Sequence, residues 1–200
     1  MYDHYDGLIF DMDGTLLNTM PIHEKAWREA LAAFDLPVLP SLMRQLTGVP
    51  TRETFAMVAA QAGTTLDELD EAVAFKEARV AELIGEARPI EVIAEIARRY
   101  HGQRPLAVGT GASTHEARQL LAAAGVLGLF EVVIGADLVQ RPKPAPDTFL
   151  LAAARIGIDP RRCVVFEDGE AGMVAARAAG MAVVDVRPLV GTAADYFLTV

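Results

Sequence analysis

With a single cysteine, Cys163, this chain of 200 residues cannot form an internal disulfide, and a reducing cytoplasm is its expected setting. No apolar run approaches the length of a membrane span, and the opening MYDHYDG lacks the charged-then-apolar pattern of a signal peptide. Basic blocks are also missing. Lys and Arg number 18 against 27 Asp and Glu, a net charge of −9, which argues against nucleic acid or an anionic membrane as a partner. The sequence has no G-x-x-x-x-G-K phosphate loop, no G-x-S-x-G elbow and no Cys/His cluster with zinc spacing. Gly109-Thr110-Gly111 lacks the third glycine of a dinucleotide fingerprint, so neither ATP nor NAD chemistry is supported. Internal repeats and low-complexity linkers are absent too. What remains is a chain with 52% apolar residues, enough for one sizeable domain or one domain carrying an insertion.

The most informative stretch is residues 7–19, GLIFDMDGTLLNT. Leu8, Ile9 and Phe10 suit a strand buried on both faces of a sheet. The run ends in Asp11-Met12-Asp13-Gly14. In an extended chain, alternate positions point the same way, so Asp11 and Asp13 project together, and Gly14 permits a sharp turn near a ligand. Two carboxylates side by side at the end of an apolar strand are costly unless compensated, and a hard divalent cation compensates them well. A lone D-x-D could equally open a solvated loop, so the rest of the chain must decide.

After Thr19 the pattern is helical as far as residue 85. Trp27, Ala30, Leu31 and Phe34 recur at helical spacing within roughly 19–35. Shorter helices are predicted at 41–46 and 51–62, separated by Gly48-Val49-Pro50. Thr65-Leu66-Asp67-Glu68 reads as a capping box opening a helix to about Ile84, with Gly85 as its stop. From Pro89 onward, helices and strands alternate. A helix at 90–100 precedes the strand Leu106–Val108. A second capping box, Ser113 to Glu116, opens a helix that ends at Gly125. Val132–Ile134, Cys163–Phe166 and Met181–Val186 are strands; Pro146–Ile156 and 170–179 are helices. This alternation predicts an α/β fold, a Rossmann-like parallel sheet core carrying an inserted helical segment. The core is expected to comprise 1–17 and 86–200, and the insert 18–85.

Ligands of open parallel sheets bind beyond the carboxyl ends of the strands. Those ends carry Asp11 and Asp13, then Thr110 between two glycines, then a loop with Lys143, then Glu167-Asp168. Each has an ordinary reading by itself: a turn threonine, a solvated loop lysine, a helix cap. Jointly they supply carboxylates for Mg²⁺ and a hydroxyl, backbone amides and an ammonium for a phosphoryl group. The overall charge is no obstacle, since fields from distant surface charges fade over roughly 8 Å at physiological salt.

In order along nearly the whole chain, DMDGT at 11–15, Thr110, KPAPD at 143–147 and EDGEAG at 167–172 resemble the four motifs of the haloacid dehalogenase-like superfamily. The helical block resembles its C1-type cap. Within the superfamily the chain resembles the β-phosphoglucomutase-like branch, particularly phosphatases of fructose 1-phosphate or 6-phosphogluconate. The resemblance implies that Asp11 is the nucleophile that forms an aspartyl-phosphate, and Asp13 the general acid and base. Asp11 and Asp168 would hold Mg²⁺, with Asp13 lending its backbone carbonyl and Glu167 a direct or water-mediated contact. Thr110 and Lys143, with Gly111 beside them, would hold the phosphoryl group. In the cap, His23, Arg52 and Lys76 would meet the rest of the substrate. Asp13 also distinguishes the chain from the superfamily's dehalogenases, because expelling an alkoxide needs an acid and expelling a halide does not. Gly169 stands where many relatives carry Ser or Thr, and Asn18 where an acidic residue is common. A phosphoglucomutase and an inactive scaffold are the competing readings. His4, His101 and His115 carry no signal and are expected at the surface; Cys163 is expected in the core.

Overall fold

A computed structural model describes residues 1–46, 49 and 51–190. Thr47, Gly48, Pro50 and the residues after 190 lie outside the described set, so the predicted break at Gly48-Val49-Pro50 is described only at Val49. The chain divides into two compact units. Among the described residues, one is 1–19 together with 87–190; the other is Met20–Glu86.

The first unit is built on five parallel strands: β1 (Gly7–Phe10), β2 (Leu106–Gly109), β3 (Val132–Ile134), β4 (Cys163–Glu167) and β5 (Ala182–Asp185), in the order β3-β2-β1-β4-β5. β1, β2 and β4 are buried at every position, as their unbroken apolar runs predict for strands covered on both faces. The register sets Phe10 beside Val108 on one side and Phe166 on the other. In-register partners share a face, and the rings of Phe10 and Phe166 stack with centroids 4.6 Å apart. Asp11 and Glu167 come one residue further on and Thr110 two, so three polar groups lie along a single edge of the sheet.

The helices of this unit are α5 (Glu91–Tyr100), α6 (Thr114–Ala123), α7 (Asp147–Ile156), α8 (Glu170–Ala178) and the short α9 (Arg187–Val190). Ser113 caps α6 by accepting the Glu116 N–H at 3.2 Å. Gly157 closes α7 with φ of 73°, a left-handed backbone that glycine adopts without strain.

The second unit contains α1 (Met20–Ala33), α2 (Pro40–Gln45), α3 (Thr51–Gln61) and α4 (Leu69–Leu83). Its own apolar cluster includes Trp27, Leu31, Phe55, Val58 and Ala72, with the rings of Trp27 and Phe55 4.9 Å apart. The predicted capping box does not form. α4 begins at Leu69 behind Glu68, whose side chain makes no cap bond. Leu66 and Leu69 instead pack, half-buried, on the apolar cluster, and the partial burial of two leucines outweighs a cap worth about 1 kcal/mol. α4 ends at Leu83, within a residue of the predicted end, and Gly85 lies inside the 3-10 turn Ile84–Glu86 that follows. His4, His101 and His115 are exposed, although His101 Nδ1 does find a partner, the Leu129 carbonyl at 3.1 Å. Cys163 is buried at the start of β4.

Candidate active site

The site grows from the end of β1. The Asp11 N–H continues the sheet by donating to the Phe166 carbonyl at 2.9 Å. Met12 turns its side chain into the core, while its carbonyl accepts from the N–H groups of Leu16 and Leu17 at 3.0 and 2.9 Å. This tight reversal passes through Gly14 at φ +84°, where an added Cβ would lie 2.4 Å from Asp168 Oδ2. Glycine is required here both for the backbone angle and for the approach of a carboxylate. Thr15 completes the contact, its hydroxyl donating to Asp168 Oδ1 at 2.8 Å.

Asp11, Glu167 and Asp168 each offer an oxygen within 4.8 Å of the others. Lys143, from the loop between β3 and α7, donates to Asp11 Oδ1 at 2.6 Å and to Glu167 Oε2 at 2.9 Å. Its ammonium also lies 4.6 Å from the centre of the Phe149 ring, an arrangement that favours a desolvated cation. The second oxygen of Glu167 accepts the Gly169 N–H at 2.9 Å. Room for this carboxylate exists because residue 172 is glycine: a Cβ there would lie 1.8 Å from Glu167 Oε2. The Asp13 carboxylate is engaged by hydroxyls, Thr19 Oγ1 at 2.6 Å on one oxygen and Thr110 Oγ1 at 3.4 Å on the other.

The electrostatics follow from burial. Burial, then the neighbouring Glu167, push the Asp11 carboxyl well above the usual carboxylate range, against the opposing pull of Lys143. Asp168 is raised to about 6, again chiefly by burial, with the Thr15 hydroxyl opposing. Burial alone would depress the Lys143 ammonium, but Asp11 and Glu167 reverse this and raise it. Four carboxylates thus gather around one ammonium, an arrangement that lacks positive charge. The donor set of hard oxygens, with space cleared by Gly14 and Gly172, fits a divalent cation such as Mg²⁺ held by Asp11, Glu167 and Asp168.

Asp11, Asp13, Thr110, Lys143, Glu167 and Asp168 therefore come together in one unit, joined by direct hydrogen bonds or carboxylate proximity. Gly111 lies in the same loop as Thr110, exposed and with open space where a side chain would be. His23, Arg52 and Lys76 belong to the helical unit. His23 is half-buried on α1, and Arg52 is exposed and paired with Asp70. Lys76 is buried, its ammonium 5.5 Å from the Trp27 ring centre. Sequence reasoning passed over Thr15 and Gly172. For Gly172 a signal existed: an isolated glycine inside a helical pattern, costing about 1 kcal/mol relative to alanine, implies a reason for being there.

Comparison with known proteins identifies the family and the fold. The family model described as haloacid dehalogenase-like hydrolase matches residues 5–180. Fructose-1-phosphate phosphatase YqaB of Escherichia coli (strain K12) is 46% identical over 189 residues, covering 94% of this chain and 100% of that protein. Beta-phosphoglucomutase of Bacillus subtilis (strain 168) is 28% identical over 193 residues, covering 92% and 85%. Among solved structures, CbbY from Rhodobacter sphaeroides in complex with phosphate is similar with a TM-score of 0.76 at 26% identity, covering 90% of this chain and 84% of that one. With the family model matching most of the chain and a 46%-identical relative covered over its whole length, the chain belongs to the haloacid dehalogenase-like hydrolase family.

Proposed function

We propose that this protein is a Mg²⁺-dependent phosphatase of small sugar phosphates, with fructose 1-phosphate the leading substrate and 6-phosphogluconate the next. The observation that carries the reading is the convergence of Asp11, Glu167 and Asp168 within 4.8 Å, with the Lys143 ammonium 2.6 Å from Asp11. The name of the 46%-identical relative supports the choice of substrate.

Asp11 Oδ attacks phosphorus as the bond to the sugar oxygen breaks, forming an aspartyl-phosphate. Asp13 gives its proton to the departing alkoxide. Water then attacks phosphorus, Asp13 takes the water's proton, and inorganic phosphate leaves with Asp11 restored. The two hydroxyls on Asp13 hold its carboxyl in place. Lys143 keeps Asp11 oriented and offsets negative charge on the phosphoryl oxygens. Thr110 would donate its hydroxyl to the same group. Asp11, Glu167 and Asp168, with the Asp13 carbonyl, would hold a divalent cation, which would supply the positive charge that keeps these carboxylates ionised beside a phosphate. The helical unit is the proposed cap and source of leaving-group selectivity, with His23, Arg52 and Lys76 as its polar candidates.

The test is inorganic phosphate release from a panel of sugar phosphates with Mg²⁺ and with EDTA, run beside conversion of β-glucose 1-phosphate to glucose 6-phosphate. Release of phosphate from fructose 1-phosphate, abolished by EDTA, is expected. Isomerisation faster than release would make the protein a mutase, and no turnover of any ester in Mg²⁺ would leave a scaffold.

A further inference from the structure

The loop that presents Thr110 is held from outside the site, and we infer that Asp137 is the positioning residue that holds it. This rests on the phosphatase reading, in which the Thr110 hydroxyl meets the phosphoryl group. Thr110 follows β2 and is separated from α6 by only three residues. Gly111 within that loop is exposed and makes no packing contact at the position of a side chain. The loop is secured instead by the segment after β3. The Ala136 N–H donates to the Ala112 carbonyl at 2.9 Å. Thr114 donates twice to one oxygen of Asp137, from its N–H at 2.6 Å and from its hydroxyl at 2.9 Å. The Gly135 N–H donates back to the Thr114 hydroxyl at 3.1 Å.

These bonds set the distance between two backbones in close contact. A Cβ at Gly135 would lie 2.2 Å from Thr114 N, 2.5 Å from Asp137 Oδ1 and 2.7 Å from the Ala112 carbonyl oxygen. Ala112, gripped on one side by Ala136, reaches Thr110 on the other, its N–H donating to Thr110 Oγ1 at 3.1 Å. The chain of contacts therefore runs from Asp137 through Thr114 and Ala112 to Thr110, whose hydroxyl faces Asp13. The Asp137 carboxyl is held below its usual range, first by the Thr114 amide. It is therefore ionised through neutral pH, the state favoured at the N-terminus of α6. Asp137 is itself exposed, so truncating it opens no cavity.

The test uses the full chain with p-nitrophenyl phosphate, inorganic phosphate as competing ligand, and Mg²⁺ titration. D137A is expected to lower kcat/KM by about 10- to 100-fold, the scale of small misplacements of a binding group. Inhibition by inorganic phosphate should weaken in parallel, while the Mg²⁺ concentration for half activity and the melting temperature stay near those of the parent. D137N, which keeps an oxygen to accept both Thr114 donors, should recover most of the loss. G135A should reproduce the D137A defect by a second route, pushing the two backbones apart. An active parent beside a D137A variant of equal activity and equal phosphate inhibition would overturn the inference alone. So would D137A and D137N equally impaired with Mg²⁺ activation shifted as well, the pattern of general damage. A parent that turns over no phosphate ester in Mg²⁺ would remove the phosphatase reading, and this inference with it.

Discussion

Replacing Gly172 by alanine sets two effects of opposite sign against each other. Gly172 lies in the first turn of α8, and alanine is preferred to glycine within a helix by about 1 kcal/mol; propensity alone therefore predicts a more stable chain. The site predicts damage. The new Cβ would stand 1.8 Å from Glu167 Oε2 and 2.2 Å from its Cδ, where ordinary carbon contacts need about 3.5 Å. Glu167 must retreat by more than about 1.5 Å. It cannot then keep both Lys143 at 2.9 Å and the Gly169 N–H at 2.9 Å. Hydrogen bonds to a charged group contribute about 1.5–3 kcal/mol each, so their loss exceeds the gain in helix propensity. The atoms that give way belong to the end of a side chain, so the variant is expected to fold with native circular dichroism. Its Mg²⁺ requirement for p-nitrophenyl phosphate hydrolysis should rise at least about tenfold, and kcat/KM fall about 100-fold. A G172A enzyme with the parent's Mg²⁺ activation curve would refute the reasoning, because Glu167 would then have no part in holding the cation.

Lys143→Ala removes the ammonium between two buried carboxylates, a change that costs about 3–5 kcal/mol when one partner of a buried pair is lost. Thermal unfolding in EDTA should register most of that loss and added Mg²⁺ should recover part of it; a variant as stable as the parent in EDTA would contradict the assigned contacts. The metal-free parent should itself become less stable as pH rises from 5 to 7.5. Asp168, raised to about 6, is neutral at the acid end, and the stability it contributes is fully present below its unfolded value and lost as pH climbs through about 6. The whole displacement is worth at most about 3 kcal/mol, roughly half of it within this pH window, with Asp11 acting in the same direction. Mg²⁺ should therefore raise the melting temperature more at pH 7.5 than at pH 5, and equal increments would sink the argument.

The parallel sheet was legible because β1, β2 and β4 are continuous apolar runs, a pattern that only strands covered on both faces tolerate in such short lengths. The site was legible for a related reason: Asp11, Thr110 and Glu167-Asp168 mark where apolar runs stop, and parallel strands bring their stops to one edge. Roles set by tertiary contacts were not. The glycine signal at 172 gave no hint that the Glu167 carboxylate folds back over it, and Asp137 is explained only by its contact with Thr114, 23 positions earlier. The burial of Lys76 was not legible either: α4 turns it inward over Trp27, because the helix places Ala72, Lys76, Val80 and Leu83 along one buried stripe. The Thr65 capping box misled for the opposite reason. A local signal worth about 1 kcal/mol was overridden by the packing of Leu66 and Leu69.

A site with four carboxylates around one ammonium is a poor receptor for an anion, and this constrains how substrate binds. Each carboxylate placed 4 Å from a phosphate charge contributes repulsion of about 4 kcal/mol at an effective dielectric of 20. Lys143 cannot offset this alone, since its ammonium already serves Asp11 and Glu167. On the proposed phosphatase reading, affinity for the phosphoryl group would then come largely through the cation, with Thr110 and the backbone amides fixing orientation. Two ligands that attract each other inside one site are thermodynamically linked, and each must tighten the other by the same factor. Calorimetric titration of inorganic phosphate at rising Mg²⁺ should show affinity climbing by at least about tenfold, in the range typical of coupled sites. Titrating Mg²⁺ at rising phosphate should return the same factor. Phosphate binding as tightly in EDTA as in Mg²⁺ would mean that the acid cluster serves some purpose other than cation-mediated capture of a phosphate ester.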